Sequence, residues 1–196
     1  MDSLNKNNMK TKYTMKVATL NIRTLTDCKS IDLIDVLEDY HIDILGLTET
    51  NSLDKRTKYL FSKQNKYTTI FRNEDLNFRG KGVGIIINKR INRYIKEVKK
   101  FNNRIISIDF QFKKDKKLRI ITYYGIVRNS ALNQPNLDLH LRNQIINLVS
   151  NGKREGYEII LLGDFNVQYE LYKENIKQSK KKYRYLKNLC VFRRKI

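Results

Sequence analysis

The sequence predicts a single α/β domain: a layered α/β sandwich built on mixed sheets. Three observations lead there. The chain has 196 residues, enough for one medium-sized core and too few for two comfortable ones. Its apolar runs are strand-sized and alternate with segments of helical period. One pair of runs reads as an antiparallel hairpin, whereas helices interrupt the strand order elsewhere, so the sheets are expected to be mixed.

In chain order, residues 1–14 are polar and Lys/Asn-rich, and fraying is expected. "KVATLN" (16–21) reads as a strand. "SIDLIDVLEDY" (30–40) reads as a helix, with Ser30 as N-cap and Ile31, Ile34 and Leu37 on one face beside Leu33 and Val36. "IDILGLTET" (42–50) and "GVGIIIN" (82–88) are strands. "RIISIDFQF" (104–112) and "LRIITYYGI" (118–126), joined by a Lys-rich turn, form the hairpin. "PNLDLHLRNQIINLVSNG" (135–152) reads as a helix opened near Pro135 and stopped by Gly152. "EIILLGDFN" (158–166) is a further strand, and 182–192 offers a last helix.

Composition narrows the classes. Apolar residues make up 40%, and the single Pro and eight Gly exclude low-complexity and collagen-like chains. No run reaches the length of a membrane span, and the N-terminus lacks the apolar core of a signal peptide. No membrane partner is therefore expected; no small-molecule cofactor is expected either. Two cysteines fit a reducing, intracellular setting. The net charge of +20 suggests a polyanionic partner such as nucleic acid. An A/T-rich coding sequence would also enrich Lys, Asn and Ile, so charge supports nucleic-acid contact only in part. The basic runs "QSKKKYRY" and "FRRKI" could hold phosphate or serve as a nuclear address, although such runs are more often solvated surface. "NRYIKEVKKFNNR" (92–104) carries the same two readings.

Several strands end in polar residues: Asn21 after "VATL", Glu49 after "ILGLT", Asp164 and Asn166 after "IILLG". Such ends converge when the strands are neighbours. Singly, each has a plain explanation, because Gly-Asp-x-Asn is good turn chemistry. The ordered set "LNIRTL" (20–25), "LGLTET" (45–50), "GKGVGIII" (80–87), "RIITYYG" (119–125) and "ILLGDFN" (160–166) is more specific. Over residues 15–190 it resembles the endonuclease/exonuclease/phosphatase superfamily, and most of all the endonuclease domains of LINE-type (non-LTR) retrotransposons.

That resemblance implies a divalent-metal phosphodiesterase acting on DNA, with Mg2+ or Mn2+. Glu49, with Asn21 of the first strand's motif, would hold the metal. Asp164 and Asn166 would orient the attacking water and support the phosphate, and Tyr124 would contact the scissile phosphate, with Tyr123 as the one-residue alternative. Arg23 and Arg104 are the candidate substrate contacts. The residue types suit the chemistry: Mg2+ keeps most of its waters and needs only one or two carboxylates. Amides hydrogen-bond phosphate without adding negative charge. Two departures stand out. Arg23 occupies a position that is often acidic or an amide, as it does in part of the retroelement group. Ile126 replaces the proline that often follows the tyrosine.

The superfamily pattern continues into a Ser-Asp-His motif, and 167–196 contains none. The expectation is a domain over 15–196 whose second half is incomplete and whose activity is weak or lost. Neither His41 nor His140 looks like a substitute: His41 begins the strand that Glu49 ends, roughly 25 Å away. Other readings are a non-catalytic basic module that binds nucleic acid, and a phosphatase or phosphodiesterase of the same superfamily.

Overall fold

The computed structural model describes residues 14–74, 81–113, 115–127, 134–167 and 193–195. The elements are β1 (Thr14–Asn21), α1 (Asp27–Asp39), β2 (Ile44–Thr48), α2 (Asp54–Leu60), β3 (Tyr67–Arg72), β4 (Val83–Asn88), a 3-10 turn (Lys89–Tyr94), β5 (Ile95–Asn102), β6 (Ile105–Gln111), β7 (Lys117–Tyr124), α3 (Pro135–Arg154), β8 (Tyr157–Asp164) and β9 (Arg193–Lys195). They form two mixed sheets, in the orders β3-β4-β2-β1-β9 and β5-β6-β7-β8. Within them β1 runs parallel to β2, and β7 parallel to β8. The expected mixed α/β sandwich is what the chain forms.

Side-chain alternation along each strand sorts the core into three layers. Met15, Val17, Ile44, Ile85, Ile87, Ile106, Ile108, Phe110 and Ile120 fill the seam between the sheets. On the outer face of the first sheet, Leu45, Leu47 and Ile86 pack against Leu33 and Leu37 of α1. On the outer face of the second, Ile105, Ile121 and Tyr123 pack against Leu141 of α3. At Gly46 the two sheets come closest. A Cβ there would stand 2.9 Å from Thr122 Oγ1 and 3.2 Å from Leu162 Cβ. Beneath α3, Asp109 takes a bidentate pair from Arg119 at 2.6 and 2.7 Å, both side chains being buried. Arg119 also donates to Leu148 O at 3.0 Å, which ties the helix to the sheet.

Two expectations change, and two basic runs take up strand structure. Helix α1 starts three residues early, because Thr26 caps it by accepting from Lys29 N. Ser30 is consequently an interior residue, and its hydroxyl donates to Asp27 O at 2.6 Å. The buried face is Ser30–Leu33–Leu37, while Ile31 and Val36 face solvent. Gly152 does not end α3. It is buried inside the helix, where a Cβ would meet Ile159 Cδ1 at 2.6 Å, and the chain leaves the helix through Gly156 at φ 81°. Within "FRRKI", Arg193–Lys195 form strand β9, hydrogen-bonded antiparallel to the start of β1. The stretch 92–104 is mostly β5, an exposed edge strand. The helix expected over 182–192 lies outside the described residues.

Candidate active site

Both sheets terminate at the same rim, and the seam-facing ends of β1, β7 and β8 deliver Asn21, Tyr124 and Asp164 to it. Register explains the meeting: Asn21 lies beside Thr48 on β2, and Tyr124 lies beside Asp164 on β8. Glu49 follows β2 directly.

The side chains form a hydrogen-bonded chain that closes into a ring through the main chain at Asn166 and Gly125. Asn21 Nδ2 donates to Glu49 Oε1 and to Asp164 Oδ2, at 2.9 Å each. Tyr124 Oη donates to the same Glu49 Oε1 at 2.8 Å. Asn166 N donates to Asp164 Oδ1 at 2.9 Å, the Asx turn that Gly-Asp-x-Asn predisposes. Asn166 Nδ2 closes the far side on Gly125 O at 2.8 Å. Glu49, Asn21, Asp164 and Asn166 are half-buried and Tyr124 is buried. Burial, reinforced by the bond to Glu49 and its charge, pushes the Tyr124 hydroxyl up to about 12, so it stays a donor throughout the neutral range. Tyr123, one residue earlier, faces the other way and meets Phe165 edge-on at 5.4 Å. Of the two tyrosines, Tyr124 is the one in the cluster.

The backbone around the cluster is held in sparsely populated conformations. Arg23, Thr24, Glu49, Asn51 and Asn166 have φ of 46°, 76°, 53°, 44° and 50°. Non-glycine residues in this region cost on the order of 1–3 kcal/mol each and persist only where surrounding contacts over-determine them. Thr24 N donates to Glu49 O, and Leu25 N to Thr50 O, both at 2.8 Å, which laces the turn after β1 to the turn after β2. Asn51 adds side-chain bonds to Thr24 Oγ1 at 2.9 Å and from Lys81 N at 3.0 Å. Gly163, at φ 127°, lets β8 reach the rim: a Cβ there would fall 1.8 Å from Tyr123 O.

Arg104 lies against this frame, with its guanidinium 4.7 Å over the Tyr124 ring and Nη1 donating to Gly125 O at 3.1 Å. Arg23 extends an exposed side chain, and its backbone N donates to Asn21 Oδ1 at 3.2 Å. His41 is exposed before β2, at the opposite end from Glu49, and His140 is exposed on α3. Lys29, Thr24 and Asn51 went unread in the sequence, although a lysine in the first turn of a helix opposes the macrodipole and is a signal in itself.

The donor set suits a hard divalent cation. Among the described residues no cluster of three or more His, Cys, Asp or Glu occurs, but Mg2+ with its waters requires only one or two carboxylates. Glu49 Oε1 accepts two hydrogen bonds, from Asn21 Nδ2 and Tyr124 Oη, and a carboxylate keeps further lone pairs on its second oxygen.

Solved structures share the fold at low identity. The Xenopus laevis APE2 catalytic domain aligns at TM-score 0.62 and 14% identity, over 79% of this chain and 59% of that one. The human Nocturnin catalytic domain, with bound sulfate, aligns at 0.57 and 16%, over 85% and 69%. D. rerio TDP2 complexed with a single-strand DNA product aligns at 0.53 and 17%, over 87% and 72%. The chain spans 63% and 59% of two such relatives, a humanized D. rerio TDP2 and the APE2 domain. A search of curated protein sequences returned no match. A family model does match residues 18–172, a span that begins inside β1 and takes in every member of the ring. The chain belongs to the Endonuclease/Exonuclease/phosphatase family.

Proposed function

We propose that this chain is a divalent-metal-dependent phosphodiesterase that nicks DNA, of the retroelement endonuclease type. The observation that carries the reading is the bridge formed by Asn21 between Glu49 and Asp164, residues 28 and 143 positions away in sequence, at 2.9 Å each. Glu49 Oε2, with Asn21 alongside, would hold Mg2+ or Mn2+, which when bound neutralises charge developing on the phosphate. Asp164, pinned through both oxygens, is positioned to accept a proton from an attacking water. Asn166 Nδ2 keeps a proton beyond its bond to Gly125 O, and Tyr124 Oη would turn its one proton from Glu49 to the phosphate once a cation occupies that carboxylate; both are neutral donors that add no negative charge. Arg23 supplies exposed positive charge beside the site, and Arg104 backs Tyr124. The DNA product bound by D. rerio TDP2 and the +20 charge support a nucleic-acid substrate, and "NIRTL" with "GDFN" supports the retroelement type. The fit to a nucleus-directed element also makes an intracellular, nuclear place of action part of the proposal.

With neither histidine at the cluster, Asp164 is left without a second acid–base partner, and nicking is expected to be slow, on the order of 10²–10⁴-fold below a site with such a partner. Nicking of supercoiled plasmid in Mg2+ tests this: activity present in the native chain and abolished in Glu49→Ala and Asp164→Ala supports it. Equal activity in all three refutes it. The charge also favours a second reading, a non-catalytic nucleic-acid-binding module. It predicts salt-sensitive DNA binding that both substitutions leave intact, with no nicking at all.

A further inference from the structure

Lys29 has an unusual set of partners. Its Nζ donates to three consecutive main-chain carbonyls, Ile22 O at 2.8 Å, Arg23 O at 3.0 Å and Thr24 O at 3.1 Å. All three ammonium donors are thereby engaged, and among the described residues no carboxylate pairs with it. The lysine sits in the first turn of α1, the end where the helix dipole disfavours a cation. The carbonyls belong to the turn that contains left-handed Arg23 and Thr24. A β-branched residue such as Thr24 rarely adopts that conformation unaided.

We infer that Lys29 is a positioning residue for the site, a built-in cation whose ammonium fills a three-carbonyl cradle and so sets the orientation of the Asn21 amide. The linkage is short. Holding the three carbonyls inward fixes the left-handed turn, and the turn aims the Arg23 N–H at Asn21 Oδ1. That bond locks the end of the amide opposite the carboxylates and so holds the orientation that they favour. With it, both Nδ2 protons point at Glu49 and Asp164. Rotated by half a turn, Oδ1 would instead face two carboxylate oxygens, a repulsive arrangement with no donor between them. The chemical class that the cradle accepts follows from its three oxygens: an ammonium-type cation, supplied here by the protein's own side chain.

The inference deepens the phosphodiesterase reading and rests on it for its catalytic consequence, but not for its structural one. In Lys29→Ala the cradle is empty, and free ammonium ion should enter it. The side-chain amide signals of Asn21, assigned by their loss in Asn21→Ala, are expected to shift toward free asparagine in Lys29→Ala. Ammonium chloride should restore them, and tetramethylammonium chloride at equal ionic strength, which has no N–H, should not. Nicking is expected to fall on the order of 10- to 100-fold through kcat, with the same selective rescue. Lys29→Gln, which keeps one donor and most of the stem, should show the same displacement in part and serves if the alanine variant does not fold. Asn21 signals unmoved in both variants, or equal effects of the two salts, would overturn the inference. An inactive native chain whose Asn21 still answers to Lys29 would sink the phosphodiesterase reading instead. Glu49-dependent nicking indifferent to Lys29 would do the reverse.

Discussion

Replacing Asn21 by aspartate exchanges two attractive contacts for two repulsive ones. In Asn21→Asp a carboxylate would stand about where Nδ2 now lies 2.9 Å from Glu49 Oε1 and from Asp164 Oδ2. Two like charges at that separation repel by about 1.4 kcal/mol in a water-like medium and about 6 kcal/mol at the effective dielectric near a protein surface. Two pairs at a half-buried rim therefore give roughly 3–11 kcal/mol. Protonation sets a ceiling. Bringing a carboxyl of ordinary pKa near 3.9 into its neutral form at pH 8 costs about 5.6 kcal/mol, and only about 2.9 at pH 6. The expected destabilisation at pH 8 is thus about 3–6 kcal/mol, on the order of 10 °C in Tm for a chain of this size. The sign follows from the raised folded-state pKa: the penalty is absent below the unfolded pKa of about 4 and grows as pH rises through the folded value. Millimolar Mg2+ should recover most of the loss, since a cation among three carboxylates removes the repulsion. Thermal melts in chelator and in Mg2+, from pH 5 to pH 8, read all of this. An Asn21→Asp variant that melts with the native chain in chelator at pH 8 would show that the three side chains do not meet in solution.

Tyr124 should ionise near pH 12, as a late step in ultraviolet absorbance that Tyr124→Phe removes; the raised value means its support for folding is complete below pH 10 and is lost as pH climbs toward 12. Gly46→Ala, which forces a Cβ to 2.9 Å from Thr122 Oγ1, should cost about 1–3 kcal/mol in denaturant unfolding with an unchanged slope. Asp109→Ala leaves the Arg119 guanidinium buried beneath α3 without its bidentate partner, and a loss of about 3–5 kcal/mol is expected, larger than for paired replacement of both residues by apolar ones.

What could be read from the chain beforehand follows how each residue is constrained. The β6–β7 hairpin was legible because Ile106, Ile108 and Phe110 alternate with residues of the opposite face, and a polar Lys-rich turn joins the runs. The convergence of Asn21, Glu49, Tyr124 and Asp164 was legible only as a motif set, since no local pattern shows that strands from different sheets share a rim. The start of α1 was misplaced because Thr26 and Ser30 are both acceptable caps, and only the tertiary fit of Leu33 and Leu37 chooses between them. Helix α2 has seven residues and β5 is charged and exposed, so neither has an amphipathic signature that stands out from loop. Lys29 stayed hidden for another reason. Its partners are main-chain carbonyls, which every sequence possesses, and only the left-handed path of Arg23 and Thr24 turns them toward one point.

Because Asn21 comes from one sheet and Asp164 from the other, the bond between them is also a fastener across the sandwich. Any slippage of one slab against the other by even an ångström would pull the pair out of reach before the hydrophobic filling noticed. The chemistry proposed for this rim is consequently tied to the integrity of the whole sandwich. A cation settling there would act as a second fastener, tightening the entire molecule from its edge.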